Sequence, residues 1–189
     1  IQITKGMDIV VDVSNIPISK GATTMNLFQS STHNMINANI YTGAKHYILL
    51  SVVGADRLPE SSYMRAKLVQ EEMVKTSGVP YSILRTTRFF ENAGEIALEA
   101  TIGEQVRISP APFQPVAADE CVDVLTDIVL GTPLNTVAEV AGPVCMPLYE
   151  FIRYYLNQTE DSRQLVEDTH APYLGAELND NSLTPAPDA

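Results

Sequence analysis

The sequence predicts an α/β fold in which helices cover both faces of a parallel sheet, and three observations support this class. First, three runs rich in apolar and β-branched residues, at residues 7–13, 47–53 and 81–85, have the length of buried strands. Second, two stretches with helical spacing of apolar residues lie between these runs, at residues 23–41 and 61–76. Third, strands that alternate with helices of about 15 residues form βαβ units, whose strands run parallel.

The first predicted strand ends at a polar turn that contains Asn15 and Pro17, as a buried strand does at its carboxyl end. The helix that follows has neither glycine nor proline in its interior and carries Phe28, Met35 and Ile36 on one face. We therefore expect this face to pack on the sheet.

The second predicted strand ends at Gly54. The helix after it carries Ala66, Val69 and Met73 at the i, i+3 and i+7 spacing of a buried face, and Gly78 ends it. A third strand then begins. The chain thus repeats one strand–helix unit up to residue 86, which predicts right-handed crossovers.

Shorter elements follow the third strand. We predict a helix at residues 92–100, a strand at 105–108 and a further sheet strand at about 136–141. Between the last two, a helix runs from Asp119, as its N-cap, to Leu130. Its inward face is predicted to consist of three apolar residues, Val122, Leu125 and Val129.

A last helix opens at Pro147, a residue suited to the first position of a helix. Its predicted buried stripe consists of Leu148, Phe151, Ile152 and Tyr155. Residues from about 159 onward have little periodicity, and the last six, at 184–189, are expected to form a loose tail.

The composition excludes several classes of function. The 189 residues carry 12 Lys and Arg against 23 Asp and Glu, a net charge of −11, without a basic cluster, so nucleic acids and anionic membranes are not expected as partners. The longest apolar run is about a third of a membrane-spanning helix, which predicts a soluble protein. Cys121 and Cys145 fit buried thiols in a reducing, cytoplasmic compartment. Neither cysteines nor histidines have metal-binding spacing, so no metal is expected.

Three residues form a pattern that is typical of a carbonyl reduction site. Ser51 stands at the end of the second strand, Tyr63 lies in the first turn of the next helix, and Lys67 follows one turn later. In a parallel sheet, ligands bind at the carboxyl ends of the strands. We expect the Lys67 ammonium to lower the pKa of Tyr63, so that the phenol protonates a developing alkoxide while Ser51 hydrogen-bonds the substrate oxygen. Hydride would come from a nicotinamide cofactor, because no side chain can supply it.

A structural interpretation of the same residues competes with the catalytic one. Lys67, Glu71 and Lys75 have the i, i+4 spacing of a charge ladder on a solvated helix face. A Tyr-x-x-x-Lys pair alone is also a weak motif. The serine at the strand end favours the catalytic interpretation.

Longer segments identify a family resemblance. The two most specific are L-S-V-V-G-A-D-R-L-P-E-S-S-Y-M-R-A-K at residues 50–67 and S-G-V-P-Y-S-I-L-R-T-T-R-F-F-E-N at residues 77–92. Shorter matches are V-V-D-V-S-N-I-P at 10–17, Q-P-V-A-A-D-E at 114–120 and E-V-A-G-P at 139–143. With these segments in order, the chain resembles the NmrA-like, atypical short-chain dehydrogenase/reductase family of NAD(P)-binding proteins.

The resemblance implies a doubly wound, Rossmann-like sheet. Residues 1–110 would be the C-terminal part of that domain, and residues 111–189 a small substrate lobe that returns one strand, at about 136–141, to the sheet. It implies that Ser51, Tyr63 and Lys67 are catalytic and that the cofactor is NAD(P)H, with NADP favoured. The residues implied to contact the cofactor are Asn15, Pro17, Lys67, Arg85, Thr86, Thr87 and Phe89.

Two further assignments have competing interpretations. Asn34 is the counterpart implied for the family's helix asparagine, with His33 and Asn37 as competitors for that role. Phe90, Phe113 and Tyr149 are candidates for an apolar substrate pocket, although they also suit a plain hydrophobic core.

Families of this kind open with a strand and a glycine-rich turn that binds the cofactor's pyrophosphate, and the sequence contains no G-x-x-G-x-x-G pattern. We therefore expect a preceding βαβαβ half that carries the phosphate loop, and poor cofactor binding by the truncated, 189-residue chain alone. A second copy of the chain, or another chain, would cover the exposed sheet edge.

The sequence leaves three hypotheses for function. The first is an NAD(P)H-dependent oxidoreductase that acts on a small carbonyl, quinone or enone. The second is a non-catalytic protein that senses NAD(P). The third is a cofactor-free relative that acts as an acid/base enzyme or as a partner subunit.

Overall fold

A computed structural model describes residues 6–15 and 22–186 of the chain, and Pro17 therefore lies outside the described residues. The strands are β1 (Ile9–Asp12), β2 (His46–Val52), β3 (Tyr81–Thr86), β4 (Thr101–Ile102), β5 (Gln105–Ile108), β6 (Pro112–Phe113), β7 (Val137–Val140), β8 (Met146–Pro147) and β9 (Gln164–Glu167). The helices are α1 (Ala22–Thr42), α2 (Ser62–Lys75), α3 (Ala93–Glu99), α4 (Ala118–Leu130) and α5 (Leu148–Gln158), and a 3-10 turn spans Phe90–Asn92.

The main sheet has four parallel strands in the order β1-β2-β3-β7. Leu49 in β2 lies opposite Asp12 in β1 and Ile83 in β3, so the central strands are buried between both neighbours. The strand predicted near residues 136–141 joins this sheet beside β3. The predicted parallel α/β class is confirmed.

Helices α1 and α2 cover one face of the sheet, where Val10, Ile36 and Val74 belong to one buried cluster. As predicted, Phe28 and Ile36 of α1 are buried, and Met35 is half-buried. Of the predicted stripe in α2, Ala66 is fully buried, whereas Val69 and Met73 are half-buried. Helix α1 packs along α2 and encloses residues that the hydrophobic pattern assigned to solvent. The fully enclosed residues of α2 include Tyr63, Lys67, Gln70 and Glu71.

Helix α4 covers the opposite face, and one residue of its predicted inward face is wrong. Val122 is 56% exposed, whereas Cys121 is 1% exposed and packs with Leu125 against Ile48 and Leu84. The two candidates are adjacent in sequence and about 100° apart around the helix, so only the docking of α4 on the sheet selects between them. Of the two cysteines predicted to be buried, Cys121 is buried and Cys145 is exposed; both are free thiols.

A second unit packs beside the main sheet. Strands β4, β5 and β9 form a three-stranded sheet, and α3 packs against α5. At residues 164–167, where the sequence pattern predicted no element, β9 pairs in parallel with β5. Only the two central residues of β9 are half-buried, and the two end residues are exposed. The strand therefore lacks the longer apolar run from which a strand is predicted. Strands β5 and β9 lie on either side of the domain boundary predicted at residue 110.

The segment at residues 171–186 closes over the carboxyl ends of the main sheet. The Arg57 Nη2 donates to the Thr184 carbonyl at 2.7 Å, and Leu183 is 5% exposed within the core. The Ser182 carbonyl lies so close to Gly54 that a Cβ there would stand 2.0 Å from its oxygen. No helix in the described part of the chain is long and apolar enough to cross a membrane.

Candidate functional site

A pocket of about 140 Å³ opens where the carboxyl ends of β1, β2 and β3 meet the first turns of α2. Of the nine residues predicted as catalytic or cofactor-binding, seven line it: Asn15, Ser51, Tyr63, Lys67, Thr86, Thr87 and Phe89. Arg85 lies behind the pocket wall in an ion-pair network, and Pro17 is not among the described residues. The topology thus brings residues from four elements to the sheet edge where the sequence placed a ligand.

Tyr63 is positioned by the N-terminus of α2. Ser61 caps this helix by accepting a hydrogen bond from the Met64 amide at 3.3 Å, and its own hydroxyl donates to the Leu174 carbonyl at 2.8 Å. The Tyr63 hydroxyl donates to Asn15 Oδ1 at 3.2 Å. The first turn of α2 is therefore fixed by two contacts, one to Asn15 after β1 and one to Leu174 in the segment at residues 171–186.

The pKa of Tyr63 lies above its ordinary value, opposite to the lowering expected from Lys67. Burial is the main cause, because it disfavours the phenolate. The positive charge that counteracts burial is that of Arg88, while the Glu95 carboxylate raises the pKa further. Tyr63 is therefore a protonated phenol at neutral pH.

Lys67 is a buried amine with defined partners. Its side chain donates to the Leu50 carbonyl at 3.0 Å and to Gln70 Oε1 at 2.6 Å, and its nitrogen lies 5.2 Å from the centroid of the Phe28 ring. Burial lowers the pKa of Lys67 to about 8, and the carboxylates of Asp12 and Glu71 partly oppose this. At 3% exposure, Lys67 cannot belong to a solvated charge ladder.

Ser51 has a different partner from the one predicted. Its hydroxyl donates to Glu71 Oε1 at 2.7 Å, and Glu71 is fully buried. The same carboxylate accepts two hydrogen bonds from Arg85, which also pairs with Asp56 at 3.0 Å. The Ser51 hydroxyl thus donates its hydrogen to a buried ion pair behind the pocket wall.

The carboxyl end of β3 contributes donors that have no protein partner. The Thr87 hydroxyl is buried and makes no hydrogen bond to any described residue. Arg88 donates from Nη2 to Glu95 Oε2 at 2.7 Å, whereas its buried Nε has no partner in the described chain. Sequence reasoning missed Arg88; the available signal was a charged residue two positions beyond the end of a buried strand.

The three aromatic residues proposed for a substrate pocket do not line this pocket. Phe113 is fully buried, with its ring centroid 5.0 Å from that of Phe151, and Tyr149 packs on the same core. Phe90 is 41% exposed and lies 5.8 Å from the Phe151 ring.

A larger pocket of about 380 Å³ lies in the second unit. Its wall includes Ile96, Leu148 and Leu178, with Glu99, Arg107 and Tyr173 as polar members. Burial raises the pKa of Tyr173 to about 12. Ser62 lines this pocket and the next residue, Tyr63, lines the smaller one, so the two pockets are neighbours.

The asparagine predicted as the family's helix residue does not reach the site. Asn34 is exposed, and its competitors His33 and Asn37 are exposed and hydrogen-bond to each other at 2.8 Å. The face of α1 that approaches Lys67 presents Phe28 instead.

Comparison with known proteins identifies the family of the chain. Residues 2–127 match the profile of a protein family described as NAD(P)H-binding. Over 123 residues the chain is 28% identical to the chloroplastic divinyl chlorophyllide a 8-vinyl-reductase of Cucumis sativus, a match that covers 60% of this chain and 29% of that protein.

Two solved structures have the same fold. An NADPH-dependent quinone oxidoreductase from Escherichia coli, complexed with NADPH, superposes with a TM-score of 0.66 at 20% identity over 88% of this chain and 56% of that one. The triphenylmethane reductase of a Citrobacter species, complexed with NADP(H), gives a TM-score of 0.63 at 16% identity over 88% and 57%. The predicted Rossmann-like fold is thereby confirmed, and the chain spans well under two thirds of each relative's length.

Proposed function

The chain belongs to the NAD(P)H-binding family, and we propose that the protein that carries it is an NAD(P)H-dependent oxidoreductase of the atypical short-chain type. Its substrates would be small carbonyl compounds, quinones or enones. The observation that carries the proposal is the convergence of Tyr63 and Lys67 on one pocket at the carboxyl ends of β2 and β3.

The residues of this pocket suit the nicotinamide end of the cofactor. Lys67 offers a buried ammonium to ribose hydroxyls, and the unpartnered Thr87 hydroxyl can donate to or accept from a carboxamide. A buried polar atom without a protein partner is uncommon in a folded protein, and a ligand group would satisfy it. When bound, the cofactor supplies hydride.

Tyr63 suits the role of proton donor. Its raised pKa keeps the phenol protonated at neutral pH, so the proton is available to a substrate oxygen that gains negative charge. The tyrosinate left behind would be stabilised by Arg88, whose charge already acts on this hydroxyl. Asn15 orients the hydroxyl by accepting its hydrogen bond.

The relatives support the choice of substrate class and of cofactor. One is named a quinone oxidoreductase, one a triphenylmethane reductase and one a vinyl-reductase, and the two solved structures were determined with NADPH or NADP(H). On this basis we propose conjugated acceptors and NADPH for the protein that carries this chain.

A second candidate is a protein that binds NAD(P)H without turning it over. The hydrogen bond from Ser51 to Glu71 favours this candidate, because the Ser51 hydroxyl was expected to donate to the substrate oxygen and donates to the Glu71 carboxylate instead. Binding with no reduction of any acceptor would identify this case.

The test uses the protein that contains this chain, with NADPH and a panel of one quinone (menadione), one enone and one aryl ketone. We expect NADPH oxidation with at least one acceptor, and its loss in Tyr63→Phe with unchanged NADPH affinity by fluorescence titration. Tyr149→Phe, a half-buried tyrosine outside the pocket, is the matched control. Normal turnover by Tyr63→Phe would rule out the assigned proton donor.

A further inference from the structure

We propose that Arg88, and not Ser51, donates the hydrogen bond that holds the substrate oxygen beside Tyr63, and that the substrate is accordingly a conjugated carbonyl whose oxygen becomes an enolate or phenolate. This inference rests on the proposed function and names the group that recognises its substrate. It follows from which donors around the pocket are already engaged and which are not.

Ser51 is engaged. It is 3% exposed, and its single hydroxyl proton is donated over 2.7 Å to a carboxylate that is itself fully buried. That carboxylate cannot move toward a ligand, because Arg85 holds both of its oxygens at 2.9 Å. A carbonyl or enolate oxygen of the substrate can only accept a hydrogen bond. Because the Ser51 hydroxyl donates its one hydrogen to Glu71, its oxygen can also only accept, and the two oxygens cannot form a hydrogen bond.

Arg88 has N–H groups that make no hydrogen bond to a described residue. Its side chain is 15% exposed and lines the pocket, and among the described residues only Nη2 has a partner, Glu95. Glu95 is itself held by Asn92, whose amide donates to the same carboxylate oxygen at 3.2 Å. The backbone at Arg88 is fixed as well, since its carbonyl accepts from the Val116 amide at 3.2 Å. The guanidinium is thus anchored through Nη2, while its Nε has no hydrogen-bond partner among residues 6–15 and 22–186.

The position of Arg88 also suits a substrate larger than the Tyr63 pocket. Arg88 lines the 140 Å³ pocket together with Tyr63. Its Nη2 donates to Glu95 of α3, and the same helix supplies Ile96 and Glu99 to the wall of the 380 Å³ pocket. A conjugated substrate with its body in the larger, mainly apolar pocket would therefore bring its oxygen to the cation between them.

The chemical step balances with the reductant already proposed. When bound, NAD(P)H would supply two electrons and a hydrogen nucleus as hydride to the conjugated carbon, and the shift of the π bond would then leave the negative charge on the substrate oxygen. Arg88 pairs with that charge, and this interaction is stronger in the transition state than in the ground state. The Tyr63 hydroxyl then protonates the oxygen, and solvent returns a proton to the tyrosinate.

The first experiment compares variants of the protein that contains this chain. Arg88→Met is expected to lower kcat/KM for menadione or an enone on the order of 100-fold, as the loss of an oxyanion donor does elsewhere. NADPH affinity should not change. Ser51→Ala should cost far less, and Arg153→Met, an exposed arginine on α5, serves as the control. A larger loss in Ser51→Ala or in Thr87→Val than in Arg88→Met would overturn the proposal.

The second experiment needs no turnover. 4-Nitrophenol, whose phenolate absorbs visible light, is titrated with pH in the complex of the protein with NADP⁺. We expect its pKa to be lowered by the wild-type protein and by Arg88→Lys, which retains the charge, and to return to the free value in Arg88→Met. No shift in the wild type would contradict the assignment of Arg88. If the shift is present but no acceptor is reduced, the proposed function fails while Arg88 remains the anion-binding group.

Discussion

Arg85 donates two hydrogen bonds of 2.9 Å, from Nε and Nη2, to the two carboxylate oxygens of Glu71. The pair joins the end of β3 to the third turn of α2, and Ser51 at the end of β2 donates to the same carboxylate. Planar two-point pairing of this kind is the strong form of a charged hydrogen bond. Behind the pocket, one buried ion pair therefore fixes the relative positions of two strands and a helix.

Replacement of Glu71 by Gln should destabilise the protein severely. The change leaves the Arg85 guanidinium, whose side chain is 9% exposed, without its principal counter-charge. Breaking one partner of a buried pair costs about 3–5 kcal/mol in the free energy of unfolding. Urea denaturation measures this, with Glu72→Gln at the exposed neighbouring position as the control, where less than about 0.5 kcal/mol is expected. Equal values for the two variants would contradict a structural role of the pair.

Gly54 should tolerate alanine less well than Gly78 does. Both residues have positive φ, at +84° and +76°, so each substitution carries a backbone cost of about 1–2 kcal/mol. At Gly54 alone, the new Cβ would also stand 2.0 Å from the Ser182 carbonyl oxygen, whereas nothing lies within 4 Å at Gly78. We expect Gly54→Ala to have the lower unfolding free energy and to expose residues 171–186 to limited proteolysis. If both variants resist protease equally, the segment does not depend on this contact.

The stability of the protein should rise between about pH 8 and pH 10 because of Lys67. Its pKa is about 8 in the folded state against 10.5 unfolded, so in this window the unfolded chain binds more protons and alkali favours folding. The full effect of such a shift is about 3 kcal/mol. The unfolding free energy of the wild type minus that of Lys67→Met should increase with pH across the window.

Lys45→Met provides the control for this pH dependence. Lys45 is fully exposed and its pKa is raised by the hydrogen bond and charge of Asp8, so the sign of its contribution is opposite. Its stabilising effect is present below the unfolded pKa and is lost as pH rises through the folded one. A difference for Lys67→Met that stays flat with pH would show that this amine is not buried as described.

The orientation of α4 can be tested with two alanine substitutions. Leu125 is 9% exposed in the cluster against β2 and β3, and Leu125→Ala should cost about 2–5 kcal/mol through lost burial and the cavity left behind. Val122 is 56% exposed, and Val122→Ala should change the unfolding free energy by less than about 0.5 kcal/mol. The reverse ranking would restore the inward face predicted from the sequence.

Much of the fold could be predicted because it is encoded locally. Runs rich in apolar residues marked β1, β2 and β3, and helical spacing marked α1, α2 and α5 within one to three residues of their ends. The prediction was weakest where local pattern carries little information. Strand β9 has four residues without an apolar run, and Val122 and Cys121 are equally plausible inward residues until α4 docks on the sheet.

The candidate site was also visible in part, since a strand end and a helical spacing of four placed Ser51, Tyr63 and Lys67 near one another. The protonation and the free donors of the pocket could not be derived in this way, because they depend on distant partners. Ser51 meets its acceptor 20 residues away, and Tyr63 meets Asn15 at a separation of 48. The order of strands and helices thus comes from local residue patterns. Which hydroxyl is engaged, which amine is buried, and which arginine faces the pocket are decided by tertiary packing, because desolvation and hydrogen-bond pairing exist only once the elements have docked.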